Sequence, residues 1–305
     1  MMSEKSRLQK LFEAGKFVVT TEIGPPMSAD AENVRVKARE ISGKVDAANV
    51  TDCQTSIVRM SSIAAAVIAQ SEGVETIMQM TCRDRNRIAI QSDILGAYAL
   101  GLKNILCLSG DHQSFGNDPQ SKNVYDIDSI QLTQAVASMA NEGKFINGKS
   151  CKTPAEFFVG ATVNPFADPE DIQILRLQKK INAGARFIQT QAVYDVDRFE
   201  AFMEKVRRKG LHEKAYIQAG ILVNKSLRSI EMTAQVPGMA IPEELIARMR
   251  DADDKQAEGL KIALELIAKL KTIPGISGIH IMAVGWESIV PELVGQAGFL
   301  PRPEI

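Results

Sequence analysis

The residue best placed to do chemistry is Glu22, which follows the apolar run Phe17-Val18-Val19 and precedes the stiff turn Gly24-Pro25-Pro26. A carboxyl at the end of a buried strand loses part of its hydration, which favours its neutral form and lets it act as a proton donor. Alone, such a glutamate is as readily a surface residue. Other apolar runs also end in hydrogen-bonding groups: Thr51-Asp52, Gln79 with Thr81, Ser109-Gly110-Asp111, Asn164-Pro165, Gln191 and Gly220. Each has an ordinary explanation, since Asp111 can cap a following segment and Asn164-Pro165 can open a turn. Together they form an amide-rich set with few charges, suited to a flat heterocycle read along its polar edge. No lysine ends a strand, so a Schiff base is disfavoured. Cys53, Cys82, Cys107 and Cys151 include no C-x-x-C pair, and His112, His212 and His280 are scattered. Reduced thiols and no metal site are therefore expected.

The elements that must position these groups alternate along the chain. Strands are predicted at 17–23, 45–50, 76–81, 104–108, 157–163, 187–191, 215–222 and 278–284. Helices are predicted between them at 31–41, 57–70, 88–100, 130–141, 169–182, 197–209, 226–234 and 254–270. Most strands are continuous apolar runs rather than alternating ones, as expected of parallel strands covered on both faces. Gly73, Gly101, Gly184 and Gly210 stand where helices should stop. Eight βα units predict an α/β fold, a single (β/α)8 TIM barrel over residues 1–305, with its chemistry at the C-terminal strand ends. A doubly wound sheet would need a phosphate-binding turn after its first strand, and two prolines there remove amide donors. The stretches 112–128, 143–155 and 236–253 exceed ordinary loop length, and the first follows a strand's C-terminal end.

Of 305 residues, 45% are hydrophobic and 24% charged, with a net charge of -1, enough apolar material for one large core. No block of like charge suggests a nucleic-acid partner, and no stretch has the roughly 18 to 20 apolar residues of a membrane span. The polar start Met1-Met2-Ser3-Glu4 lacks the apolar core of a secretory signal, so a cytoplasmic location is expected.

In the order and spacing of several stretches the chain resembles 5,10-methylenetetrahydrofolate reductase, in its short prokaryotic type without a regulatory domain. These stretches are Thr21-Glu22-Ile23-Gly24-Pro25-Pro26, Asn49-Val50-Thr51, Met80-Thr81-Cys82, Leu108-Ser109-Gly110-Asp111, Asn182 through Gln191, Gly220-Ile221-Leu222 and Gly278-Ile279-His280-Ile281. The resemblance implies a (β/α)8 barrel holding a flavin, with FAD the expected cofactor and FMN the alternative. It implies reduction of 5,10-methylenetetrahydrofolate to 5-methyltetrahydrofolate, with Glu22 protonating folate N10 and hydride passing from flavin N5. By the same resemblance Asp111 lies beside the flavin's pyrimidine edge and the folate. Gln191 meets pterin or nicotinamide, Thr51 the nicotinamide, and Gln79 the flavin. Ser109, Gly110, Tyr125 and Asp126 belong to the flavin-contacting turn and loop. Asn164, Arg176, Lys179 and Lys180 belong to the ribityl and phosphate side, and Ser229 stands at a substrate-contacting position.

The departures from the family pattern are specific. Ser109 replaces an arginine before Gly-Asp, Thr233 an aromatic residue, Ser229 a glutamine, and Trp286 an arginine. Cys82-Arg83-Asp84-Arg85-Asn86-Arg87 is similar to a branch found in anaerobes and archaea. The electron donor is accordingly NAD(P)H or a protein such as an iron–sulfur partner subunit, and an oligomer is expected. The alternative from another class is a pterin-binding barrel that delivers a methyl group to a corrinoid protein.

Overall fold

Eight parallel strands close on themselves in the computed structural model, which describes residues 4–305. They are β1 (Val18–Ile23), β2 (Ala47–Val50), β3 (Thr76–Thr81), β4 (Asn104–Leu108), β5 (Phe158–Val163), β6 (Phe187–Ala192), β7 (Tyr216–Leu222) and β8 (Ile276–Met282). Each pairs with the next, and β8 returns to β1 with Val18 opposite Gly278 and Thr20 opposite His280. The fold is a single (β/α)8 barrel. Continuous burial along β2 and β3 explains their unbroken apolar runs, since one face fills the barrel and the other meets helices.

The helices are α1 (Arg7–Glu13), α2 (Ala31–Ile41), α3 (Ser62–Ser71), α4 (Arg87–Ala99), α5 (Ser129–Asn141), α6 (Glu170–Asn182), α7 (Val196–Arg208), α8 (Leu227–Ala234), α9 (Glu243–Asp251), α10 (Lys255–Leu270) and α11 (Val290–Gln296). Their starts are chemically marked. Asn86 accepts from the amides of Ile88 and Ala89, Asp254 from those of Gln256 and Ala257, and Asp128 with Gln131 forms a reciprocal capping box. None of the described helices is long and apolar enough to cross a membrane.

Several boundaries differ from expectation for identifiable reasons. Residues 57–61 are not helical. Arg59 Nη1 donates to the Pro25 carbonyl at 2.9 Å and the Met60 amide to that of Pro26 at 2.9 Å, so this segment braces the proline turn. Helix α3 then starts on the cap Ser61. The stretch 236–253 holds α9, whose buried Leu245, Ile246 and Met249 give it a packing face behind Pro242. Strand β8 lies two residues earlier than expected, leaving Val284 exposed beyond it, and α11 follows it as a helix beyond the eight expected.

The barrel interior changes character along its axis. At the N-terminal ends of the strands, Val18, Ala47, Ile77, Leu106, Phe158 and Phe187 form an apolar layer, plugged by Leu8, Leu11 and Phe12 of α1. Phe12 stacks on Tyr216 with centroids 4.7 Å apart, and Phe158 on Phe187 at 5.1 Å. Gly160 is required here, because a Cβ would collide with the Phe187 ring. Below, buried Asp46 accepts from the Val19 amide at 2.8 Å and pairs with Arg7 and Arg302. Two residues further along β1, β2, β3, β6 and β7, on the same inward face, stand Thr20, Asn49, Gln79, Gln189 and Gln218. The interior turns polar within one step of the pleat.

Candidate active site

Above the polar layer a cavity of about 470 Å³ opens at the C-terminal strand ends. Strand β1 delivers Glu22 to it, since Val18, Thr20 and Glu22 share the inward face at a period of two. The Glu22 side chain is 22% exposed. Its Oε1 lies 3.5 Å from Gln79 Nε2, a donor, and 3.4 Å from His280 Nε2. The His280 ring is buried, with Nδ1 2.9 Å from Thr20 Oγ1.

The turn Ser109-Gly110-Asp111 closes β4 and also lines the cavity. Gly110 has φ +87°, which exposes its backbone toward the mouth at no steric cost. Asp111 stands at the exposed rim, where a carboxylate oxygen accepts from the Thr55 amide at 2.8 Å. Its own carbonyl accepts from Ser56 Oγ at 2.8 Å and Arg83 Nη1 at 3.2 Å. The segment after β2 that grips it is strained, with Cys53, Thr55 and Ser56 all at positive φ (46°, 58° and 57°).

Across the barrel, α6 presents Gln173, Arg176, Leu177 and Lys180 to the cavity at helical spacing. Lys180 is buried and donates to the Thr162 carbonyl at 2.7 Å, leaving two of its three hydrogens for other partners. Burial, then the nearby Arg176 charge, pulls its pKa down to about 8. The cavity is therefore bipolar. Glu22 and His280 stand on β1 and β8, and a cationic pair rises behind β5, four strands round from β1.

Of the residues expected at a site, the cavity brings together Glu22, Gln79, Ser109, Gly110, Asp111, Asn164, Arg176, Lys180 and Gln191. Gln191 falls where the β6–β7 register slips. The others lie off the lining. Thr51 is buried and its hydroxyl bonds Gln54 Oε1, so Gln54 faces the cavity in its place. Tyr125 donates to the Gly110 carbonyl at 3.2 Å, supporting the turn from outside. Asp126 clamps the start of α4 through Arg87, which pulls its pKa down to about 2. Lys179 points to solvent, and the Ser229 hydroxyl belongs to the capping box of α8, accepting from the Ser226 amide at 3.3 Å and donating to the Ser226 carbonyl at 2.8 Å.

A family model described as methylenetetrahydrofolate reductase matches residues 7–298, nearly the whole chain. The chain belongs to the methylenetetrahydrofolate reductase family. "Methylenetetrahydrofolate reductase 1" of Schizosaccharomyces pombe is 27% identical over 242 residues, covering 77% of this chain and 37% of that protein. The chain thus spans less than two fifths of that relative's length. The "5,10-methylenetetrahydrofolate reductase" of Pectobacterium carotovorum is 22% identical over 284 residues, 87% of this chain and 85% of that one. A solved structure of an uncharacterised Clostridium thermocellum protein, described as binding two copies of 5-methyl-5,6,7,8-tetrahydrofolic acid, superposes with a TM-score of 0.66. It covers 96% of this chain and 98% of that one at 16% identity, which speaks to the fold.

Within this methylenetetrahydrofolate reductase family member, sequence reasoning passed over three residues. His280 was hidden in the apolar run Gly-Ile-His-Ile, although its register opposite Thr20 places it inward. Arg83 is buried against the 109–111 turn, where its guanidinium donates to the Asp111 carbonyl at 3.2 Å and pairs with Asp84. Arg85 pairs with buried Asp52 at 2.7 Å and with Asp93 at 2.9 Å, fixing the wall beneath that turn. Trp286 lies elsewhere, in a separate surface groove against α2 with Lys37 and Glu287. The buried thiols Cys82 and Cys107 are both pushed up to about 12 by burial, so neither is a ready nucleophile.

Proposed function

We propose that this chain is a cytoplasmic flavin-dependent reductase that converts 5,10-methylenetetrahydrofolate to 5-methyltetrahydrofolate, with residues 1–305 as one catalytic unit. One observation carries the reading: the Glu22 carboxyl and a cationic pair, Arg176 with Lys180, line opposite sides of one amide-rich cavity. That polarity suits a phosphate-bearing heterocycle on one side and a proton-requiring reaction on the other. The curated name of the Pectobacterium relative and the folate bound by the Clostridium neighbour support the same substrate class. They lend no support to methyl transfer to a corrinoid.

The residues present fit a flavin nucleotide. Lys180 has unspent donors and Arg176 lies one turn away, so they would hold its phosphate. The open backbone at Gly110 and the amides of Gln79 and Asn164 would meet its ring and ribityl chain, with Asp111 and Arg83 bounding that turn. Bound flavin supplies hydride. Glu22 supplies the proton to folate N10 as the five-membered ring opens, and Gln191 orients the pterin. Asp111, held by Thr55, favours a cationic folate intermediate by charge attraction. The electron donor is NAD(P)H or an iron–sulfur partner subunit.

The test begins with the visible spectrum of the purified protein and identification of the released cofactor as FAD or FMN. Stopped-flow then separates the two half-reactions. Glu22→Gln should slow folate reduction by about 10²- to 10⁴-fold while flavin reduction stays within about twofold. Equal losses in both halves, or a colourless protein that binds neither flavin, would sink the reading. Bleaching by NADH alone identifies a nucleotide donor.

A further inference from the structure

Beneath Glu22 lies a chain of buried polar groups whose hydrogen directions follow from its two ends, a backbone carbonyl and the Glu22 carboxyl. A backbone carbonyl can only accept, and Gln218 Nε2 sits 3.1 Å from the Ile279 carbonyl oxygen. The amide of Gln218 is thereby oriented, and its other N–H donates to Thr20 Oγ1 at 3.0 Å. Its Oε1 accepts in turn from Gln189 Nε2 at 3.2 Å, and Gln189 is locked face to face with Asn49 through bonds of 2.7 and 3.2 Å. Gln189 Nε2 has two hydrogens, which Gln218 and Asn49 occupy, so its 3.4 Å approach to Thr20 Oγ1 adds no third bond and one Thr20 lone pair stays open. The Thr20 O–H has two acceptors in reach, His280 Nδ1 at 2.9 Å and the Ile279 carbonyl at 3.4 Å, so the far ring nitrogen decides between them. His280 Nε2 faces Glu22 Oε1 at 3.4 Å, an oxygen that also accepts from Gln79. A hydrogen on Nε2 turns that contact into a hydrogen bond and leaves Nδ1 to accept from Thr20.

We infer that His280 is a positioning residue for Glu22, held as its Nε2–H tautomer between the Thr20 hydroxyl and Glu22 Oε1, so that it donates to Oε1 and leaves Oε2 to carry the transferable proton. Gln79 Nε2 approaches the same Oε1 at 3.5 Å, so both protein donors address one oxygen. A carboxyl whose one oxygen accepts two N–H groups presents its other oxygen, with its proton, to the cavity. When that proton leaves, the same two donors hold the carboxylate. The histidine keeps its own hydrogen throughout and exchanges no proton with Glu22. The long approaches of 3.4 and 3.5 Å are those of a site without substrate, where such bonds commonly lie open. The burial of Thr20, Asn49, Gln189, Gln218 and His280 makes this arrangement stringent, because a wrongly directed hydrogen there leaves a buried group unpaired.

The catalytic half of this inference rests on Glu22 being the acid, whereas the tautomer does not. The chain holds only three histidines, which makes side-chain nitrogen-15 correlation spectra assignable on the protein as purified. His280 is expected as a single Nε2–H tautomer at neutral pH. Thr20→Val should release it into a mixture, and Thr20→Ser should restore it. An Nδ1–H ring or an imidazolium in the unmutated protein, or an unaltered ring in Thr20→Val, overturns the assignment. Kinetically, His280→Leu should slow the folate half-reaction by roughly 10- to 100-fold with flavin reduction unchanged, and His280→Gln, which keeps an N–H donor, should recover most of it. Equal rates for His280→Leu and His280→Gln would reject the positioning role. Full folate reduction by Glu22→Gln would instead remove the acid assignment, and the spectra would still decide the hydrogen-bond chain.

Discussion

The lower and upper halves of this barrel's interior are built from the same eight strands and the same inward-pointing positions, and they do opposite things. Below, Phe158, Phe187, Ile77 and Val18 fill space around the α1 plug. One pleat higher, Thr20, Asn49, Gln189, Gln218 and His280 are equally buried but satisfied by one another, the Ile279 carbonyl and Glu22. Apolar packing tolerates small shifts, because its contacts are numerous and undirected. A buried polar network has no such latitude, because each donor needs its own acceptor. The lesson is that burial alone does not define a core: the lower layer supplies stability, and the upper layer spends some of it to aim side chains.

Four measurements can break or sharpen that contrast. The largest effect belongs at the top: Glu22→Gln should cost folate reduction about 10²- to 10⁴-fold while shifting thermal unfolding little. A comparable loss of stability would mean that Glu22 is structural and the contrast false. Next comes the bottom. Phe187→Ala should cost ~3–5 kcal/mol in denaturant unfolding, with single-turnover rates of the surviving folded fraction nearly unchanged. A selective loss of the chemical step would show the two layers to be coupled.

Third, Lys180→Met should weaken binding of the phosphate-bearing cofactor by ~10- to 100-fold in equilibrium titration. In the parent protein that affinity should fall as pH rises through about 8, where Lys180 loses its charge. Stability runs the other way. Burial lowers the folded pKa to about 8 from the ordinary 10.5, so between those values the unfolded chain holds more protons and rising pH favours folding. Melting the parent and Lys180→Met side by side from pH 7 to 10.5 should show the parent gaining on the variant, by at most ~3 kcal/mol. A constant gap would mean that Lys180 does not titrate there. The smallest effect is Lys179→Ala, expected to change cofactor affinity by less than about twofold because that side chain faces solvent. A tenfold loss would place the anion on the outer face of α6.

Much of the architecture was legible because parallel strands covered on both sides leave an unmistakable mark: short unbroken apolar runs between helical stripes. The position of Glu22 followed from the same logic. What stayed hidden depended on which way a side chain turns. Arg176, Lys179 and Lys180 all fit one helix face on spacing alone, and only packing against β5 separates Lys180 from Lys179. Ile57 and Val58 have a helical look, but the carbonyls of Pro25 and Pro26 recruit the next two residues into a brace. His280 was obscured by its apolar neighbours Ile279 and Ile281, which face outward while it faces the barrel interior. Tautomers and amide directions have no signature in sequence, because they are decided by partners from five different strands.

The plug at the base has a consequence for traffic. With Leu8, Leu11 and Phe12 stoppering the narrow end, the described residues leave the chamber open at the opposite end, and whatever goes in there must come out the same way. Two visitors that need the same inner surface have to take turns, so the departure of one sets the earliest arrival of the other.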